Sequence, residues 1–256
     1  MTNIILPNPF PGLAINVNAQ VVAAPLPINQ YKFKRAGKNG TLITMIIDES
    51  GSMHSAWNAT IAGFNEFVQG QRSAEAAAGA GYLSLIKFDA PEIKTVYVNR
   101  PLNEVPELNK STYTPRGGTN LLDAIGQAIN SVNAELVKLK KKDRPGVIIT
   151  IMTDGAENSS RSFTRDQIKD MVKAAEAADW TFTFLGANID SFAVGSTFGM
   201  NLQNSVNYST NNMGATMAAV SASTVRMRSA KSAGTSTLDL YATGLYTDEE
   251  KKNMTK

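Results

Sequence analysis

Three apolar runs, TLITMII (41–47), GVIITIM (146–152) and WTFTFLGA (180–187), are separated by stretches whose apolar residues recur every three or four positions. Runs of the first kind read as strands buried on both faces, and the intervening stretches read as amphipathic helices. Trp57, Ile61, Phe64 and Val68 mark one helix. Leu122, Ile125, Ile129, Val132, Leu136 and Leu139 mark a second. Thr164 opens a third, through Ile168, Met171, Val172 and Ala175. YLSLIKF (82–88) and IKTVYV (93–98) are strands joined by a Pro-Glu turn, hence a hairpin. A short helix at 191–198, a weaker strand at 203–208 and an Ala/Met-rich helix at 213–228 follow. Such alternation predicts an α/β fold, a mainly parallel sheet with helices on both faces. Ligands of such sheets bind beyond the carboxyl ends of the strands, where the strand order reverses.

The ends of the chain differ from this middle. Residues 1–40 carry no charge before Lys32 and hold five prolines in the first 27 positions. IILPNPFPG cannot be helical, because each Pro removes a donor and restricts its predecessor. INVNAQV (15–21) alternates as an extended segment would. Disordered tails are usually charged and poor in large apolar residues. This arm has Ile4, Leu6, Phe10, Ile15, Val17 and Val21, so it is expected to dock on its own domain or on a partner. The expected organisation is an arm over 1–40, a domain over 41–228 and a tail over 229–256. In the tail Thr247 and Glu250 have the spacing of a helix-capping box.

Composition narrows the functions available. There is no cysteine and a single histidine, His54, so thiolate sites and multi-histidine metal sites are excluded. A net charge of +3 does not suggest a nucleic-acid protein. The basic run KLKKKDR (138–144) falls at a helix C-terminus, where cations suit the helix dipole. No apolar run approaches the ~20 residues needed to cross a bilayer, and no membrane insertion is expected. Pro7, Pro9 and Pro11 interrupt the apolar core an export signal needs. The expected location is therefore the cytoplasm.

The chemistry concentrates at strand ends. The first apolar run leads into Asp48, Ser50 and Ser52, spaced by two so that all three side chains lean one way. The run at 146–152 leads into Asp154, in T-D-G. Between them PRGGTNLLDAI (115–125) places Thr119 after Gly117 and Gly118, just before the second helix. Singly, each of these residues suits a turn or a helix cap. Together, two carboxylates and three hydroxyls with no nitrogen or sulfur donor suit a hard divalent ion such as Mg²⁺, with a position left open.

The D-x-S-x-S of Asp48, Ser50 and Ser52, the Thr of G-G-T (Thr119) and the Asp of T-D-G (Asp154) resemble the metal-ion-dependent adhesion site of von Willebrand factor type A (vWA) domains. The resemblance covers roughly residues 41–228, in the family's order. It implies a doubly wound, six-stranded, mainly parallel sheet with one antiparallel edge strand. It also implies Mg²⁺ or Mn²⁺ as the bound ion and a protein partner whose Asp or Glu completes the coordination. Glu49, Gly117, Asn120 and Glu157 are expected to form the partner-binding rim. The chain looks more like intracellular bacterial or phage vWA proteins than like animal adhesion domains, which implies the host cytoplasm or a virion if the gene belongs to a phage.

Three alternatives stand beside that expectation. The arm 1–40 could drive self-association, as in a structural or virion component. The chain could serve as an accessory subunit of an AAA-type ATPase; it has no G-x-x-x-x-G-K-[ST] loop of its own. Hydrolysis is the weakest alternative, because there is no G-x-S-x-G elbow and a metal would occupy the hydroxyls. No catalytic residue and no enzymatic activity is expected. Asp89 reads as part of the turn before Pro91, and His54 as a solvent-facing residue.

Overall fold

A computed structural model describes residues 39–187, 189–200 and 204–256. The arm expected over 1–40 lies, apart from Asn39 and Gly40, outside the described residues. So does the beginning of the weak strand expected at 203–208.

Strand β1 (Thr41–Asp48) leads through a 3-10 turn into α1 (Trp57–Ser73) and the short α2 (Glu75–Ala78). The hairpin β2 (Gly81–Phe88) and β3 (Ile93–Pro101) comes next, then α3 (Leu121–Leu136) and β4 (Gly146–Thr153). After α4 (Arg165–Ala177) come β5 (Trp180–Ala187), α5 (Ser191–Thr197), β6 (Ser205–Tyr208) and α6 (Met213–Ser232). Helices α7 (Thr237–Thr243) and α8 (Asp248–Thr255) end the chain.

The six strands lie in the order β3-β2-β1-β4-β5-β6, with β3 antiparallel and the rest parallel. The chain leaves β1 towards one edge and returns to place β4 on its other side. The switch point therefore falls between β1 and β4, whose ends are level in register at Ile47 and Met152. Alternate residues of β1 feed two cores. Ile43, Met45 and Ile47 pack with Phe64, Phe67, Met217 and Val220 of α1 and α6. Leu42 and Ile46 pack with Ile125, Ile129, Ile168 and Val172 of α3 and α4. A strand between two helix layers has no polar face, which is why 41–47 is apolar almost throughout.

Helix α3 is shorter than the apolar spacing through Leu139 suggests. Its last turn tightens into i→i+3 bonds, Lys138 N–H to Glu135 O and Leu139 N–H to Leu136 O. Leu139 still packs against the core. Helix α6 is longer than expected, continuing past Arg228 to Ser232, and the Arg228 guanidinium donates to Gln71 and to Gly79 O. The tail is folded onto the domain. Thr247 and Glu250 exchange hydrogen bonds as a capping box. Met254 is fully buried, and its carbonyl accepts from Ser209 N–H at 2.8 Å.

Candidate metal centre

At the end of β1 the Asp48 carboxylate is fully buried. One oxygen accepts from Ser50 N–H at 2.7 Å and the other from the Thr153 hydroxyl at 2.5 Å. Ser50 and Ser52 bring their hydroxyl oxygens to 3.0 Å of each other. The Ser52 hydroxyl donates to Asp154 Oδ1 at 2.5 Å. Two strand ends are thus joined through side chains that the register of β1 and β4 sets side by side.

The third segment is held by its backbone. Gly51 N–H donates to Gly117 O at 3.1 Å, and Asn158 N–H and Ser159 N–H donate to Thr119 O. Asn158 Oδ1 accepts from Thr119 N–H at 2.9 Å. Gly155 shows how close the three segments come. A methyl group placed there would lie 3.1 Å from Thr119 Oγ1 and 3.6 Å from Ser52 Oγ. Asp48, Ser50, Ser52, Thr119 and Asp154 therefore converge at one place, with Ser52 exposed and the other four buried.

Electrostatics leave this place short of positive charge. Burial is the main reason the Asp48 carboxyl is pushed up to about 6. Hydrogen bonds from Ser50 and Thr153 pull it back, and the neighbouring Asp154 charge adds to the rise. Burial likewise raises Asp154, against the hydrogen bond from Ser52. Among the described residues no cationic group figures among the causes of either shift. Among the described residues no three His, Cys, Asp or Glu side chains cluster in a way that suits a metal. The donor set here is instead two acids and three hydroxyls, which fits a hard, oxygen-seeking divalent ion and no thiolate or imidazole chemistry.

The four residues expected at the rim differ in exposure. Glu49 is 6% exposed and faces away from the cluster, where its carboxylate meets the Lys87 ammonium at 2.6 and 2.8 Å. Its strand parity is opposite to that of Asp48 and Ser50, so it points to the end of β2. Asn120 is also buried, and its Oδ1 has no hydrogen-bond partner among the described residues. Glu157 is half-buried and fully engaged: it accepts from Ser159 N–H, Ser160 N–H, the Ser160 hydroxyl and Leu122 N–H. It braces the loop after β4 and caps α3. Of the four, Gly117 alone is exposed. Asp89 lies in the hairpin turn, where it accepts from Glu92 N–H and pairs with Arg116 at 2.6 Å. His54 is exposed, with its ring 5.3 Å from that of Trp57.

Sequence reasoning passed over Thr153, Tyr113, Asn158 and Lys87. Tyr113 is buried and donates to Asp48 O at 2.7 Å. Lys87 offered a signal, as the one charge within YLSLIKF. Thr153 offered a weaker one, directly before Asp154.

No family model matches the sequence, and no curated protein matches it. Solved structures do. The pilus adhesin SpaC of Lactobacillus rhamnosus GG, in an open conformation, superposes with a TM-score of 0.55 at 14% identity, over 73% of this chain and 30% of that one. The fold, a six-stranded, mainly parallel sheet with one antiparallel edge strand and helices around it, is shared with that structure. The vWF domain of the type V pili tip protein Mfa5 from Porphyromonas gingivalis is also similar, with a TM-score of 0.49 at 11% identity, over 73% of this chain and 95% of that one. So is proximal thread matrix protein 1 of the mussel byssus, with a TM-score of 0.49 at 11% identity, over 71% of this chain and 45% of that one. The chain thus spans less than half the length of the mussel protein and of SpaC. In this topology the five converging residues sit near the switch point between β1 and β4. Among the described residues no helix is long and apolar enough to cross a membrane.

Proposed function

We propose that the cluster of Asp48, Ser50, Ser52, Thr119 and Asp154 holds Mg²⁺ or Mn²⁺ and that the chain uses this ion to bind a protein. The ion neutralises two buried carboxylates, and among the described residues no cation is a cause of either one's shift. A position not filled by the chain accepts an Asp or Glu side chain of the partner, so that binding depends on both the ion and the acid. Exposed Ser52 and Gly117 lie where that acid approaches. The observation that carries the proposal is the contact of the Ser52 hydroxyl with Asp154 and with Ser50, which draws residues from separate strand ends onto one point. Among proteins of the same fold, SpaC is a pilus adhesin and Mfa5 is a pilus tip protein. Recognition of a partner at this end of the sheet is in keeping with an adhesin of the same fold.

The chain's own residues divide the work. Asp48 and Asp154 supply the charge. Thr153 and Ser50 N–H hold the Asp48 carboxylate in one orientation, and Asn158 and Ser159 hold the Thr119 segment. Hydroxyls committed in this way are ligands and not nucleophiles, which argues against hydrolysis. Calorimetric titration of Mg²⁺ or Mn²⁺ into the protein and into Asp48→Ala tests the proposal. The ion binds the first and not the second. Equal binding by both would remove the cluster from consideration.

A further inference from the structure

Glu49 lies within the strand-end motif, yet the proposed ion does not use it. Its carboxylate and the Lys87 ammonium form a buried ion pair. Each partner also holds the loop that follows β3. Lys87 donates to Thr112 O, and Glu49 Oε1 accepts from Thr114 N–H. The backbone adds Arg116 N–H to Glu49 O at 2.7 Å and Gly51 N–H to Gly117 O at 3.1 Å. Two residues further on, the same segment delivers Thr119 to the cluster. Thr112 and Thr114 are exposed, and the segment carries no helix or strand to order it.

Burying two charges is expensive, and an apolar pair of similar volume would join β1 to β2 as well. An apolar pair would give Thr114 N–H no acceptor and Thr112 O no donor. The charged pair is therefore suited to ordering a loop rather than to filling a core.

We propose that Glu49 and Lys87 are positioning residues that pin 112–117 against the motif and so set Thr119 beside Asp154 before any ion arrives. The part concerning metal affinity rests on the metal proposal above. A preset ligand loses less freedom on binding than a mobile one, so the pin raises affinity without touching the ion.

The test is hydrogen exchange on the metal-free protein together with Mg²⁺ titration. In the unmodified chain the Thr114 amide exchanges at rates typical of the sheet, although it lies in an exposed loop. The double variant Glu49→Leu/Lys87→Met keeps the volume and removes both charges. Its Thr114 amide exchanges about fivefold faster or more, and its Mg²⁺ affinity falls by a similar factor, while the β4 amides are unchanged. An unmodified Thr114 amide that exchanges as fast as that of Ser111 would overturn the pin without any variant. So would a double variant whose exchange and affinity stay within about twofold of the original. If the unmodified protein binds no Mg²⁺ but the variant loosens Thr114 as stated, the pin stands and the metal proposal falls.

Discussion

The Ser52 hydroxyl donates to Asp154 Oδ1 at 2.5 Å across 102 positions of sequence. No local rule brings these residues together. The parallel pairing of β1 with β4 does, by setting Ile47 level with Met152 so that both strands end in the same plane. The carboxylates then share a small volume with three hydroxyls, and among the described residues no cation figures in the shift of either.

Asp48 gives folding and ion binding opposite pH dependences. Its carboxyl is pushed up to about 6 in the folded chain, from an ordinary value of 3.8. Between those values the metal-free folded chain keeps a proton that the unfolded chain has lost. Stability therefore falls as pH rises through that window and levels off above it. Ion binding needs the carboxylate, so affinity rises over the same window. Thermal unfolding of metal-free Asp48→Asn and wild type from about pH 4 to about pH 7 checks the sign. The variant is the more stable at the upper end, and its advantage disappears at the lower end.

Gly155→Ala places a methyl 3.1 Å from Thr119 Oγ1. Contacts that short displace the neighbour by a few tenths of an ångström. The expected result is a clear loss of Mg²⁺ affinity, of about tenfold, with a stability change under about 1.5 kcal/mol. Calorimetry and urea unfolding on the same variant separate the two effects.

Gly117→Ala acts on the fold as well. The residue has φ +68, and an added Cβ would lie 2.1 Å from Ala90 O. A side chain there meets both backbone strain and a carbonyl. Destabilisation of about 2 kcal/mol or more is expected in denaturant unfolding.

Lys87→Met leaves Glu49 buried without its counter-charge. The expected cost is about 3–5 kcal/mol, and most of it should be recovered when Glu49→Leu is added. Urea midpoints of the two single variants and the double variant give the coupling directly.

Met254→Ala asks whether the C-terminal tail belongs to the domain. Met254 is fully buried in the core beneath α1 and α6. Truncation there should cost about 2–5 kcal/mol in the same assay. An unchanged midpoint would mean that α8 contributes nothing to the fold's stability.

Much of the fold was legible because buried parallel strands leave no room for polar residues. The runs at 41–47, 146–152 and 180–187 reveal themselves by composition alone, and the spacing of α3 and α4 follows from one-sided burial. Helix α6 was harder to bound. It buries Thr216, Ser223, Thr224, Arg228 and Lys231 along with its methionines, so its apolar face is blurred and its end at Ser232 is hidden. The five converging residues were legible as oxygen donors at strand ends. Their supports were not. Strand parity gives the side on which Glu49 lies but not the ammonium that waits there, because β2 and β1 pair at a distance in sequence. The burial of Asn120 is equally non-local, and nothing in its sequence neighbourhood shows it.

Diffraction from crystals soaked in Mn²⁺, with the anomalous signal of the metal recorded, tests the central claim most directly. The account predicts one strong peak among the hydroxyls of Ser50, Ser52 and Thr119, flanked by Asp48 and Asp154. No peak there at saturating Mn²⁺, with the Ser52–Asp154 hydrogen bond intact, would contradict it.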